Sequence, residues 1–170
     1  MTPAWTGSSA AAAARALARG RREPVAGGVL DAMPCSKIET VRRAMEAFSR
    51  GDLRAALAQS DPECVIDWRR SESPDASVYR GIDEAERFLA GFHDVFACFS
   101  AEPQDLIECG RDGVLVPTWT RARGRYGIEL QTRNVSFVRF RDGRMWLWRF
   151  YLSQEEALAD LGLDGGAAAA

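Results

Sequence analysis

The chain has 170 residues, the scale of one domain, since domains cluster near about 100–150 residues. It is 46% hydrophobic and 27% charged, an ordinary globular composition that excludes wholesale disorder. Its 22 Lys and Arg against 24 Asp and Glu give a formal charge of −2, which argues against a nucleic-acid partner. No apolar run reaches the roughly 18–20 residues that cross a bilayer, which argues against a membrane partner.

Residues 1–36 differ from everything after them. Ala10 to Ala14 form a homopolymer, Arg15, Arg19, Arg21 and Arg22 follow, and Pro24, Gly27, Gly28 and Pro34 break any continuation. The segment carries almost no apolar face and reads as disordered, with Met33 offering an alternative start. Lys37 is the only lysine; the arginine and alanine bias is what a GC-rich genome writes. The basic residues follow the alanines rather than precede an apolar core, so no secretory signal is read and the cytoplasm is the expected compartment.

Lys37 to Arg50 reads as a helix, with Ser36 and Glu39 in a capping-box pattern and Ile38, Val41, Met45 and Phe48 on one stripe. Gly51 ends it, and Asp52 caps a short second helix through Leu57. Asp61-Pro62 reads as a turn and Cys64 to Trp68 as a strand, followed by a polar loop from Arg69 to Arg80. A third helix is expected from Asp83 to Phe96, its apolar face carrying Phe88, Leu89 and Phe92. Strands are expected over Phe99–Glu108, Val114–Arg123, Ile128–Arg141 and Met145–Leu152, joined by glycine-bearing turns, then a terminal helix from Gln154 to Leu161. Short turns make the strands antiparallel, and helices placed before a meander lie on one face of it. The expectation is an α+β domain over residues 37–163, a cone-shaped, mostly antiparallel sheet wrapped around a long helix, with 164–170 a disordered tail.

Cys35, Cys64, Cys98 and Cys109 are spaced by 29, 34 and 11 residues with no CxxC pair, so they read as buried free thiols. With one histidine and no clustered carboxylates, neither a metal nor another cofactor is expected.

The text from about Lys37 to Leu163 resembles the SnoaL-like branch of the nuclear transport factor 2-like superfamily, a cystatin-like α+β barrel. The resemblance rests on Glu39-Thr40-Val41-Arg42-Arg43 with Phe48-Ser49-Arg50-Gly51-Asp52, on Val65-Ile66-Asp67-Trp68, and on Tyr79-Arg80-Gly81. The Asp142-Gly143 turn and Tyr151-Leu152 before Glu155-Glu156-Ala157-Leu158 also fit. The fold hosts isomerases, cyclases, dehydratases, epoxide hydrolases and plain binders, so it does not name a reaction.

The resemblance to ketosteroid isomerases places Asp67 where those enzymes keep a catalytic base, which needs a desolvated carboxylate in an apolar cavity. The other reading is a strand-end carboxylate paired with Arg69 or Arg70. The same resemblance sets Ser136 where the isomerases carry an acidic oxyanion-hole donor, and the first helix lacks their tyrosine; Ser136 is otherwise a small strand residue. His93, on the edge of the third helix's apolar stripe, is either a proton carrier or a packed structural histidine. Strand parity groups Asn134 and Ser136 with Ile128, Leu130 and Thr132 on one face, as in a pocket with a few polar groups.

Trp68, Tyr79, Trp119, Asn134, Trp148 and Tyr151 are the expected pocket walls, with the tryptophans alternatively packing the core or a dimer face. The expected partners are a small apolar or polycyclic molecule and a second copy in a homodimer. Two functions remain: acid–base chemistry of isomerase, cyclase or dehydratase type on a small apolar carbonyl compound, or a non-catalytic ligand-binding or dimerisation domain. They differ on Asp67. Catalysis requires it inward, whereas binding tolerates it outward beside arginine.

Overall fold

The computed structural model describes residues 36–163. The disorder expected of residues 1–36 and 164–170 therefore lies, apart from Ser36, outside the described residues, as does Cys35.

Helix α1 spans Lys37–Ser49, and the Ser36 hydroxyl accepts from the Glu39 amide at 3.2 Å as the capping box requires. Gly51, at φ +77°, turns the chain in a region that favours glycine. Asp52 then caps α2, Leu53–Leu57, by accepting from the Ala55 amide at 3.0 Å. Strand β1 spans Ser60–Asp67, so Asp61-Pro62 lies within the strand rather than in a turn. Strand β2, Val78–Arg80, occupies the end of what reads as loop and pairs with β1 antiparallel, Asp67 opposite Val78. Helix α3 runs Gly81–Val95, starting two residues before the expected Asp83, and Glu84 accepts from the Arg80 amide at 2.7 Å.

The meander follows as β3 Phe96–Pro103, β4 Ile107–Cys109, β5 Gly113–Gly124, β6 Glu129–Arg141 and β7 Arg144–Tyr151, before the short helix α4 at Gln154–Asp160. The expected strand at 99–108 is thus two strands, both pairing along the same edge of β5. The sheet order is β2-β1-β7-β6-β5-β3. Every pairing is antiparallel except β1 with β7, and the sheet is open rather than a closed barrel.

Side-chain alternation divides the sheet into two apolar layers. Even-numbered Val114, Val116, Val138 and Phe140 pack against Val41, Ala44 and Met45 of α1. Odd-numbered Leu115, Val135, Phe137 and Tyr151 pack against Ala157, Leu158 and Leu161 of the C-terminal segment on the reverse face. Helix α3 sets Ala85, Phe88 and Leu89 against Cys64 and Ile66 of β1. The sheet curls around α1 and α3 and leaves a space between them. Cys64 and Cys109 are buried free thiols as expected, but Cys98 is exposed, its sulfur 3.5 Å from the Arg123 guanidinium.

Candidate functional site

A cavity of about 600 Å³ lies between the inner face of the sheet and helices α1 and α3. Its walls are dominated by rings. Trp68 at the end of β1 sits 4.0 Å from Phe150 between ring centroids, with Phe88 and Phe92 of α3 at 5.3 and 5.7 Å. Phe92 also meets Phe48 and Phe99, and Trp148 completes the β7 wall. Solvent reaches the cavity where lining residues are exposed: Val95 and Leu130 at one end, Pro74 and Asp75 of the loop after β1 at the other.

The polar part of the lining is concentrated on one wall. Register places Thr118 opposite Asn134, Thr120 opposite Thr132 and Val116 opposite Ser136 across β5 and β6. The Asn134 amide nitrogen donates to the Thr120 hydroxyl at 2.9 Å. Of the expected pocket residues, Trp68, Asn134, Ser136 and Trp148 line this cavity.

Asp67 does not. Its strand neighbours Cys64, Ile66 and Trp68 face the helices and the cavity, so alternation sends Asp67 to the reverse face. It is buried there with 4% exposure, and Arg69 grips both oxygens, Nε to Oδ1 at 2.9 Å and Nη2 to Oδ2 at 2.8 Å. Arg149 adds a third contact at 3.1 Å and joins Asp67 to Asp160 on α4. Hydrogen bonds from Arg69 hold the Asp67 carboxyl below the usual carboxylate range; burial pushes the other way and is outweighed. The raised pKa required of a cavity base is replaced by a lowered one.

Four other expected residues stand elsewhere. Trp119 occupies an odd position on β5, on the reverse face, with the Arg133 and Arg121 guanidiniums 4.9 and 5.9 Å from its ring. Tyr151 is fully buried on that same face and donates to Asp160 at 2.7 Å, while burial pushes its hydroxyl pKa up to about 12. Tyr79 lies behind the lining, stacked on Phe88 at 4.3 Å, and its hydroxyl donates to the Asp75 carbonyl at 2.7 Å. His93 is a tie between helices: Nε2 donates to the Phe48 carbonyl at 2.8 Å, and its ring meets Phe48 and Phe99 edge-on.

Residues 41–148 match the model of the SnoaL-like domain, more than half of the chain. The chain belongs to the SnoaL-like domain family. No curated relative matches it. Among solved structures, this SnoaL-like domain is similar to a nuclear transport factor 2-like protein of unknown function from Burkholderia pseudomallei, at 25% identity and TM-score 0.61, covering 72% of this chain and 94% of that one. It is also similar to a Mycobacterium tuberculosis protein in complex with estradiol-17β-hemisuccinate, at 16% identity and TM-score 0.61, covering 72% and 95%. A third is TerC co-crystallised with polyporic acid, at 19% identity and TM-score 0.60, covering 75% and 98%. The last two likenesses are of fold.

The SnoaL-like cavity includes residues that sequence reading did not single out. Thr118 and Thr120 were legible in principle, because the tight Gly124–Gly127 turn fixes the β5–β6 register and puts them beside Asn134 and Thr132. The phenylalanines of α3 carried a weaker signal, since an apolar helical stripe reads equally as core. Among the described residues, no three His, Cys, Asp or Glu side chains converge as a metal site, and no helix is long and apolar enough to cross a membrane.

Proposed function

We propose that this SnoaL-like domain binds a flat, apolar small molecule in the cavity without transforming it. The observation that carries this reading is the position of Asp67, whose carboxylate is committed to Arg69 and Arg149 on the far face of β1. General acid–base catalysis requires a titratable group within hydrogen-bond reach of the substrate. The ionisable groups among the lining residues are the exposed Asp75 at the rim and the Cys64 thiol. Burial, seconded by the charge of Asp61, pushes that thiol up and keeps it protonated. What the cavity offers is ring surface, with polar groups gathered on one wall, which is how binding pockets for small apolar molecules are built. The presence of estradiol-17β-hemisuccinate and of polyporic acid in two structures of similar fold supports a small-molecule role.

The test is a resonance map of the indole N–H groups during titration with N-phenyl-1-naphthylamine, a neutral apolar ring compound. Trp68 and Trp148 should shift as the probe saturates, and Trp119 should stay still. Shifts confined to Trp119 would overturn the reading.

The same proposal includes a homodimer formed through the reverse face of the sheet, where Trp119 is half-buried between two arginines. A ring left partly open on a sheet face favours burial against a second copy. Sedimentation equilibrium should give twice the chain mass at micromolar concentration, and a monomer would contradict it.

A further inference from the structure

Apolar exposure on this molecule is gathered, not scattered. Among the described residues five large hydrophobic side chains are exposed, and four of them share one end of the fold: Val95 at 62%, Tyr126 at 96%, Ile128 at 76% and Leu130 at 45%. Three belong to the β5–β6 hairpin and Val95 ends α3. Arg125 ties the two together, donating from Nε and Nη2 to the Asp94 carbonyl at 3.2 and 3.0 Å. Residues 125–131 are exposed without interruption, so the hairpin tip projects from the body. Val95 and Leu130 also line the cavity, and the apolar tip therefore frames its mouth. Single exposed apolar side chains need no explanation, but four around one opening mark a contact surface.

Charge decides what that surface meets. Arg123 and Arg125 flank the tip and form no ion pair among the described residues; Arg123 approaches the Cys98 sulfur at 3.5 Å and Arg125 a carbonyl. Two uncompensated cations thus stand together in a chain whose formal charge is −2. A second copy set on the same patch by a twofold axis would bring arginine against arginine. An anionic bilayer suits both halves: its headgroups meet the arginines, while Tyr126 and Ile128 enter the boundary with the acyl chains.

We propose that the β5–β6 hairpin tip and the end of α3 dock on an anionic lipid bilayer, with the cavity mouth facing the membrane. The contact is peripheral and uses no spanning segment. Passage of an apolar molecule between bilayer and cavity rests on the cavity being a binding site; the docking itself does not.

The test is co-sedimentation of the full chain with vesicles of phosphatidylcholine alone and with vesicles mixed in about equal parts with phosphatidylglycerol. The mixed vesicles should retain the chain, about tenfold more strongly than the neutral ones, and high salt should weaken that retention. Tyr126→Ser combined with Ile128→Ser should lower it about tenfold at an unchanged melting temperature, because both side chains are exposed and neither lines the cavity. Arg123→Gln should weaken binding to the mixed vesicles alone. No retention of the parent, or undiminished retention of the folded double variant, would overturn the docking. So would a double variant of lower sedimentation mass with no vesicle binding by the parent, which makes the patch a contact between copies. Titration with N-phenyl-1-naphthylamine separates the two readings. A chain that binds mixed vesicles but not the probe loses the cavity reading and keeps the docking, and the converse loses the docking alone.

Discussion

Arg69 and Asp67 form a two-pronged pair across two residues of chain, with Nε–Oδ1 at 2.9 Å and Nη2–Oδ2 at 2.8 Å. The carboxylate is buried and the guanidinium largely open to solvent. Because Arg149 shares the carboxylate and also reaches Asp160, the pair connects the end of β1 to β7 and to α4. It is a structural joint behind the cavity wall.

Asp67→Asn should therefore destabilise the fold. The substitution leaves Arg149 with Asp160 as its one remaining carboxylate partner among the described residues. It weakens the charge-assisted bonds to Asp67, each worth about 1.5–3 kcal/mol, so a loss of that order is expected in chemical denaturation. A cavity carboxylate with a raised pKa would behave oppositely, its removal being neutral or stabilising near neutral pH. Unchanged or increased stability would place Asp67 outside the joint described.

The pH dependence follows from the sign of the shift. Asp67 titrates lower in the folded chain than in the unfolded one, so the unfolded state binds the extra proton as the medium acidifies. Its contribution is complete above the unfolded value of about 3.9 and is lost as the pH falls through the folded value. Asp160 is shifted in the same direction, first by the Tyr151 hydroxyl, and its contribution fades in the same window. The stability gap between the parent and Asp67→Asn should thus be constant near neutrality and close on acidification. A gap that widened toward acid would reverse the sign.

His93→Ala should lower stability by about 1–3 kcal/mol through the lost bond to the Phe48 carbonyl and the emptied space beside Phe48 and Phe99. Because His93 lies outside the lining, the affinity for a neutral apolar probe should change by less than about threefold, a difference smaller than the ~1.4 kcal/mol that marks tenfold. Thermal melts and probe titration on the same variant check both halves.

Two glycines should respond in opposite directions. A Cβ at Gly113 would lie 2.6 Å from the Cys109 carbonyl and 2.6 Å from the Phe137 ring, so Gly113→Ala should cost about 1–3 kcal/mol through overpacking. Gly91 lies within α3 and a Cβ there meets nothing within 4 Å, so Gly91→Ala should stabilise by about 0.4–1 kcal/mol through backbone entropy. Midpoints of urea denaturation compare them directly.

Much of the fold was legible because its signals are local. Ser36 with Glu39, Gly51 with Asp52, and the glycine turns at 124–127 and 142–143 each fix one boundary through short-range backbone chemistry. Strand β2 escaped because three residues between polar neighbours carry no periodicity, and its pairing to β1 is decided by tertiary contact. The parallel pairing of β1 with β7 also joins segments some 80 positions apart, which no local pattern encodes. In the site, alternation groups Asn134 and Ser136 on one face of β6, and both line the cavity. Applied to Cys64-Val65-Ile66-Asp67-Trp68, the same alternation separates Asp67 from Trp68, and it likewise sends Trp119 and Tyr151 to the reverse face. The resemblance to the isomerases points Asp67 inward whereas alternation turns it away from the cavity, and the structure follows alternation.

The most direct test of the binding account is a fluorescence titration of N-phenyl-1-naphthylamine into the parent chain and into Asp67→Asn, under conditions where both are folded. The account predicts saturation at one molecule per chain, with affinities that agree within about threefold, since Asp67 lies behind the wall and not in it. No saturable binding to the parent chain, or binding that disappears in folded Asp67→Asn, would contradict it.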